Sequence, residues 1–266
     1  MQEIPNWYGN VFAILFGLVV GSFLNVVVVR LPQGRSVVKP RSRCPNCDKE
    51  IRWWDNIPIL SYALLRGRCR ECRTPISIRY PTIELLTALI FLSAKVRFGL
   101  SWTLFIRDWP FLAILIAVTF IDLEHRIIPD RLSLGGLVLG LLTSTAFPQA
   151  PPTFGWSSSL IGASIGFGSF YLIAALYQRF AGRTGLGGGD VKLLAMLGAF
   201  LGPSGVLATI LISSVLGSVI GILWALVNRE KDIMKSSIPY GPFLVVGGLY
   251  YYLLGDILWL QFMTPT

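Results

Sequence analysis

Long apolar runs, separated by short polar segments, dominate the pattern of this chain. A membrane-spanning helix needs about 20 consecutive apolar residues, so several runs are short, and one or two could be re-entrant. The pattern predicts an all-α polytopic membrane protein with about eight transmembrane helices. The eight runs are Val11–Val29, Ile83–Val96, Leu104–Ile121, Leu132–Phe147, Leu160–Tyr177, Leu186–Leu201, Val206–Val227 and Phe243–Leu260.

The composition excludes a large soluble core. Of the 266 residues, 53% are hydrophobic and only 14% are charged, whereas a soluble domain averages about 25% charged residues. The first apolar run is followed by Arg30, and no Lys or Arg precedes it. A secretory signal peptide has the opposite order, with a basic segment before a shorter apolar core. We therefore expect residues 1–29 to form a retained first transmembrane helix whose N-terminus lies outside.

The net charge of +9 is concentrated in one segment, because 12 of the 23 Lys and Arg residues lie between Arg30 and Arg79. Such a cluster beside a span marks the cytoplasmic side of a membrane protein. With eight spans, the predicted outer loops 97–103, 148–159 and 202–205 hold a single Arg. The positive charge is thus explained by topology, and we expect the lipid bilayer, and no nucleic acid, as a partner.

The four cysteines of this basic segment form two C-x2-C pairs that are 21 residues apart: Cys44, Cys47, Cys69 and Cys72. This spacing is typical of a tetrahedral four-thiolate zinc site of the ribbon type. Cytoplasmic thiols stay reduced, which argues against disulfides, and a redox role is the lesser alternative. A four-cysteine site has no open position, so the predicted Zn²⁺ is structural. Residues 30–82 are predicted to form a small cytoplasmic zinc-ribbon-like domain. Four apolar residues between the cysteine pairs are expected to form its core or to rest on the membrane surface: Trp53, Trp54, Ile57 and Ile59.

Two aspartates stand at the ends of apolar runs. Asp122 follows the run 111–121, and Asp190 follows the glycines 187–189 and precedes the run 193–201. An acid at membrane depth is costly and indicates function. The predicted topology places both at the cytoplasmic ends of their helices, and a full-length span would draw Asp190 and its glycines into the membrane. Two close carboxyl groups can share a proton and hydrolyse a peptide bond, one activating water and the other polarising the carbonyl.

Ordinary structural roles remain open for both aspartates. Asp122 could be a helix-end charge at the water interface, and Asp190 could be a helix N-cap that pairs with Lys192. The single histidine, His125, excludes a multi-histidine metal site, and it is expected on a solvated loop face with its charged neighbours. Three glycine pairs at i and i+4 favour close helix packing: Gly136 with Gly140, Gly162 with Gly166, and Gly217 with Gly221.

Ordered motifs over nearly the whole chain resemble the prepilin peptidases, also called type IV leader peptidases, which are intramembrane aspartic proteases of the Gly-x-Gly-Asp type. The order and number of the matching segments are far more specific than one Gly-x-Gly-Asp motif. The matching segments are Gly21–Val26, Arg41–Cys47, Asn56–Ser61, Cys69–Cys72, Tyr80–Glu84, Asp122–Asp130, Gly187–Lys192 and Pro239–Phe243.

The resemblance implies that Asp122 and Asp190 are catalytic, that Asp130 is supporting, and that residues 83–266 form the peptidase core. It implies a multi-pass enzyme of the bacterial inner membrane, which cuts the basic leader from type IV prepilins and pseudopilins after a glycine on the cytoplasmic side. Members with the cysteine-containing loop usually also N-methylate the new N-terminal residue with S-adenosylmethionine. No nucleotide-binding fingerprint assigns the methyl-donor site in this sequence, and a homodimer is left open.

Two other functions are consistent with parts of the pattern. A transporter or channel could use Asp122 and Asp190 as an ion relay, because intramembrane acids also serve that purpose. An adaptor could bind nucleic acid or a partner through the basic zinc loop, although topology already accounts for that charge. A proteolysis assay separates the enzyme from the ion relay.

Overall fold

The computed structural model describes residues 6–153, 155–182, 186–228 and 239–263. Within these ranges the regular structure is helical, and the only strand-like pairings are two isolated bridges in the cysteine segment. The α-helices are α1 (Asn6–Arg30), α2 (Leu60–Leu64), α3 (Arg79–Phe98), α4 (Trp109–His125), α5 (Asp130–Ala146), α6 (Gly155–Ala181), α7 (Gly188–Asn228) and α8 (Gly241–Met263). A 3₁₀ turn at Trp53–Asn56 precedes α2, and a π-helical turn at Leu104–Asp108 leads into α4.

Apart from Phe147, Leu186 and Gly187, every residue of the predicted apolar runs lies in a helix, so the all-α architecture is confirmed for the described part of the chain. Four helical segments are long and apolar enough to cross a membrane: Asn6–Arg30, Leu104–His125, Gly155–Phe180 and Gly188–Trp224. Among the other helices, α5 has only 17 residues, and α3 carries four charged residues within its 20: Arg79, Glu84, Lys95 and Arg97. The apolar segment Gly241–Gly255 of α8 is also shorter than a full span. The count of eight spans therefore stays a prediction.

The prediction of a loop at residues 202–205 is wrong, because helix α7 continues through these residues with a break only at Gly202. Gly202 has φ of 71° inside α7, a left-handed conformation that glycine adopts without a steric penalty. Pro203 follows directly and begins the second half of the helix, where its missing N–H costs little. The chain thus changes direction between two apolar runs without an intervening loop.

The first compact unit comprises Met1–Ala117 and contains the cysteine segment together with α1 and α3. Helices α1 and α3 pack closely because glycines face the backbone of α3. A Cβ atom at Gly17 would lie 2.6 Å from Ala88 Cα, and one at Gly21 would lie 2.6 Å from Glu84 Cα. The other end of this unit is filled by stacked and edge-on aromatic rings, with Phe91 and Trp109 only 5.1 Å apart between centroids.

The second unit, Val118–Thr266, contains the last turns of α4 and helices α5 to α8. Its tightest contact joins α6 and α7: a Cβ atom at Gly162 would lie 2.3 Å from the carbonyl oxygen of Gly198. A Cβ atom at Gly166 would lie 2.5 Å from Leu194 O, so the predicted packing role of this glycine pair is confirmed. The Ser159 hydroxyl also donates to Ala199 O at 2.7 Å. This packing holds the helix that carries Asp190.

Candidate functional site

Asp122 lies in the last turn of α4, where the sequence itself ends the helix. The N–H of Arg126 still donates to Asp122 O at 2.9 Å, but Arg126 has φ of 56° and Pro129 follows three residues later. A left-handed residue followed by proline is a common helix termination. The carboxyl group of Asp122 points inward, since the residue is only 5% exposed. The simple alternative of a solvated helix-end charge does not fit this burial.

Asp190 lies in the first turn of α7, three residues inside rather than at the N-cap. Its N–H donates to Gly187 O at 3.0 Å, so the glycine run forms the turn that starts the helix. Carboxyl groups are favoured in the first turn because the N–H groups there leave partial positive charge. A Cβ atom at Gly187 would lie 2.9 Å from Asp190 Oδ2, so glycine leaves this carboxyl group accessible.

The second unit brings the two aspartates within electrostatic range of each other, although 67 residues separate them in sequence. The backbone N–H of Gly241, at the start of α8, donates to Asp122 Oδ2 at 3.0 Å. Ile128 lies between the two sides of the site. A Cβ atom at Gly189 would lie 2.9 Å from Ile128 Cβ, and one at Gly241 would lie 3.2 Å from Ile128 Cδ1.

Lys192 pairs with Asp130, not with Asp190. Its Nζ donates to Asp130 Oδ1 at 2.6 Å, which links the second residue after Asp190 to the start of α5. Sequence reasoning missed this pair and the Gly241 contact, because both partners are distant in sequence and neither follows a helical spacing. The prediction that residues 124–126 and 130–131 form a solvated face is confirmed, since all five are exposed.

The four cysteines of the first unit converge. Each Sγ lies within 4.8 Å of the other three, and Cys44 Sγ is 3.7 Å from Cys72 Sγ. Zn–S bonds of about 2.3 Å place the sulfurs of a tetrahedral site about 3.8 Å apart. The observed spacing therefore fits a single tetrahedral metal ion, and four thiolates suit zinc.

Both cysteine pairs have the same backbone form. In each, the N–H of the first cysteine donates to the carbonyl oxygen five residues later, from Cys44 to Lys49 and from Cys69 to Thr74. The residue four positions after the first cysteine has a positive φ, 53° at Asp48 and 58° at Arg73. This turn aims both sulfurs of a pair to one side. The two turns thus present four ligands to one point.

Electrostatics in this segment favour a cation among the sulfurs. Hydrogen bonds with the side chain and backbone of Thr74 lower the pKa of Cys72 to about 5. At Cys47 the Lys49 N–H lowers the pKa, but desolvation and the Cys44 and Cys72 thiols outweigh it and raise the pKa to about 11. Four adjacent thiols cannot all ionise unless a positive charge lies among them.

Polar contacts tie the 3₁₀ turn to the second cysteine pair. Arg70 donates to both carboxylate oxygens of Asp55, at 2.6–3.0 Å, and this hydrogen bonding lowers the pKa of Asp55. Trp53 and Trp54 on that turn are 76% and 43% exposed, so they do not form the core of the segment. Of the two predicted roles for these residues, contact with the membrane surface stays a prediction.

Two family models match consecutive parts of this chain. Residues 15–98 match the bacterial peptidase A24 N-terminal domain, and residues 109–222 match the type IV leader peptidase family. No solved structure gives a significant match.

Three curated relatives carry the name prepilin leader peptidase/N-methyltransferase. The protein from Myxococcus xanthus is 42% identical over 85% of this chain and 67% of its own length. That from Neisseria gonorrhoeae is 38% identical over 93% of this chain and 91% of its own length. That from Pseudomonas aeruginosa is 38% identical over 91% and 89%. These matches confirm the resemblance seen in the motifs and give the ion-relay alternative no support. The chain belongs to the type IV leader peptidase family.

Proposed function

We propose that the chain is a membrane-embedded aspartic endopeptidase that removes the basic leader from type IV prepilins or pseudopilins and then N-methylates the new N-terminus. The observation that carries the peptidase function is that Asp122 and Asp190, at the ends of two helices, lie within electrostatic range of each other. The relatives' names support both activities, prepilin leader cleavage and N-methyl transfer.

The two aspartates would divide the work of hydrolysis. The Gly241 N–H stabilises negative charge on Asp122, which suits Asp122 to accept a proton from the attacking water. Asp190 would hold the shared proton and donate a hydrogen bond to the scissile carbonyl oxygen. The water oxygen then bonds to the carbonyl carbon, and the peptide C–N bond breaks as the amine takes up a proton. Glycines 187–189 would let an extended substrate approach the backbone.

We place the aspartates at the cytoplasmic face of a bacterial inner membrane, with eight spans and the N-terminus outside. The basic residues of segment 30–79 support this orientation, because cytoplasmic loops are enriched in Lys and Arg. In this topology the first span would comprise residues 1–29, the cytoplasmic zinc domain residues 30–82, and the peptidase core residues 83–266.

A cleavage-and-mass assay tests both activities. Purified protein in detergent is mixed with a prepilin that carries its leader, with and without S-adenosylmethionine. We expect loss of the leader mass in both cases, and one added methyl group only when the donor is present. Leader loss without methylation would leave the peptidase and remove the methyltransferase. No cleavage of any of several prepilins by a folded protein would contradict the proposal.

We further propose that Cys44, Cys47, Cys69 and Cys72 hold a structural Zn²⁺. The convergence of the four sulfurs supports this site, and zinc would supply folding energy that so small a segment cannot gain from its core. Since all four positions would be filled by cysteine, the metal would take no part in the chemistry.

Removal of one sulfur ligand is expected to empty this site. We predict about one zinc per chain in the unaltered protein, measured by metal analysis, and less than a fifth of that in Cys69→Ser. Asp48→Asn is the matched control, because Asp48 lies within the first cysteine turn, is exposed, and offers no sulfur. A metal-free protein with an intact cysteine segment would contradict the site.

A further inference from the structure

Ile128 forms part of the wall of the aspartate site, although no step of the proposed hydrolysis uses it. It lies half-buried in the turn between α4 and α5. A Cβ atom at Gly189, directly before Asp190, would lie 2.9 Å from Ile128 Cβ. A Cβ atom at Gly241 would lie 3.2 Å from Ile128 Cδ1 and 2.7 Å from Asp122 Oδ2. The side chain therefore extends between the backbone segments that adjoin the two aspartates.

The space along the glycine run is open on one side of Ile128 and closed beside it. Beyond the adjoining chain, no described atom lies within 4 Å of a Cβ atom at Gly188. At Gly187, only the carboxyl group of Asp190 lies within that distance among the described atoms. At Gly189 the Ile128 side chain takes up the space. An extended peptide therefore has room along Gly187 and Gly188, and it meets Ile128 where it reaches Asp190.

This wall is stiff, because the chain around Ile128 has little freedom. Pro129 follows it, and the residue before a proline is restricted to extended backbone conformations. The side chain is branched at Cβ, which restricts its rotation about χ1. The turn is also held at its far end, where Asp130 accepts a hydrogen bond from Lys192 Nζ at 2.6 Å. Ile128 therefore cannot easily move aside for a bulky substrate group.

The proposed hydrolysis determines which substrate residue meets this wall. Asp190 would donate a hydrogen bond to the scissile carbonyl oxygen, and this carbonyl belongs to the last residue of the leader. That residue must therefore lie next to Asp190 and Gly189, where Ile128 limits the space. A glycine brings no side chain into this space. An alanine or a larger residue brings a Cβ atom toward Ile128, and a tightly packed apolar wall accommodates an added carbon poorly.

We infer that Ile128 sets the size limit for the substrate residue before the cleaved bond and so determines where the leader is cut. The inference rests on the proposed peptidase function and names the residue of this chain that selects the cleavage site. The cleavage after a glycine that the motifs imply would then have its structural cause in Ile128. Glycine and alanine differ by one carbon, and a difference of this size in an apolar site changes kcat/KM by about 10–200-fold.

Competing substrates provide the test. The full-length protein in detergent is given two prepilins that differ only in the residue before the cleaved bond, glycine in one and alanine in the other. Ile128→Ala removes both Cγ atoms and Cδ1, and it should raise the alanine-to-glycine ratio of kcat/KM at least about tenfold. Ile127→Ala is the matched control, because it makes the same change at the adjacent, 46% exposed residue and should leave the ratio unchanged. A partial loss of folded protein lowers both values equally, so it does not move the ratio.

Ile128→Val is a milder second variant, since it removes only Cδ1 and keeps the branch at Cβ. It should raise the same ratio by less than Ile128→Ala does, and it decides the question alone if Ile128→Ala does not fold. Cleavage of the glycine substrate with a ratio no higher than that of Ile127→Ala would overturn the role of Ile128, while the proposed function stands. If the unaltered protein cuts neither substrate, the proposed function fails, and the inference fails with it.

Discussion

Asp190→Asn is expected to lower the rate of leader cleavage by at least about 10³-fold, and Asp122→Asn to do the same. Positioned acid–base groups contribute about 10²–10⁴-fold each, and a pair that shares one proton fails when either member cannot ionise. Asparagine keeps the size of the side chain and, at position 122, an oxygen that can accept the Gly241 N–H. The loss of cleavage should therefore come from the missing acid–base group and not from a change in the fold.

The measurement is the initial rate of leader removal from a prepilin in detergent, with folding checked by thermal unfolding. Glu124→Gln is the matched control, because it makes the same acid-to-amide change two residues from Asp122 on an exposed position. It should retain cleavage within a few-fold. Normal cleavage by either aspartate variant would refute the assignment.

The ion-relay alternative makes a different prediction for the same variants. A relay would lose proton or cation flux in reconstituted vesicles, and the unaltered protein would cut no prepilin. The endopeptidase would cut in detergent, where no gradient exists. Cleavage by the purified unaltered protein, lost with Asp190→Asn, therefore separates the two functions in one experiment.

Local sequence patterns identified the candidate catalytic and metal-binding residues, because these residues lie at recognisable positions in the chain. Asp122 and Asp190 interrupt apolar runs, and the cysteines repeat a short spacing, so each stands out without knowledge of its neighbours. The partners of these groups could not be found in this way. Gly241 meets Asp122 across 119 residues, and Asp130 meets Lys192 across 62, at separations set only by helix packing.

Sequence reasoning predicted one helix–helix contact correctly but did not identify the surface on the partner helix. The Gly162 and Gly166 pair follows a known spacing and was predicted to be a contact. Its partners Gly198 and Gly202 are also four residues apart, but the predicted loop at residues 202–205 left Gly202 outside the helix, so this surface was not identified as the one that receives α6. A cavity in the first unit is a stronger case, because Ser22, Glu84 and the cysteine segment line it together only after α1 and α3 pack.

Gly162→Ala is expected to destabilise the second unit more than any conservative change at its surface. The added Cβ would lie 2.3 Å from Gly198 O and 2.8 Å from the Gly202 backbone. Because these neighbours are backbone atoms, rotation of a side chain cannot relieve the clash. Helices α6 and α7 would have to separate. Overpacking of this kind costs typically about 1–3 kcal/mol, and contact with the α7 backbone at two residues places this site at the upper end. Because α7 carries Asp190, cleavage should fall together with stability.

Gly168→Ala provides the matched control on the same helix. No atom lies within 4 Å of a Cβ atom at Gly168, so the substitution meets open space and gains up to about 1 kcal/mol of helix propensity. Unfolding in mixed micelles of increasing denaturing detergent should show Gly162→Ala destabilised and Gly168→Ala unchanged or stabilised. The two variants make the same chemical change in one helix, so a difference in propensity cannot account for opposite results. Equal stability of the two would mean that α6 and α7 do not pack through Gly162, and that another contact holds Asp190 in position.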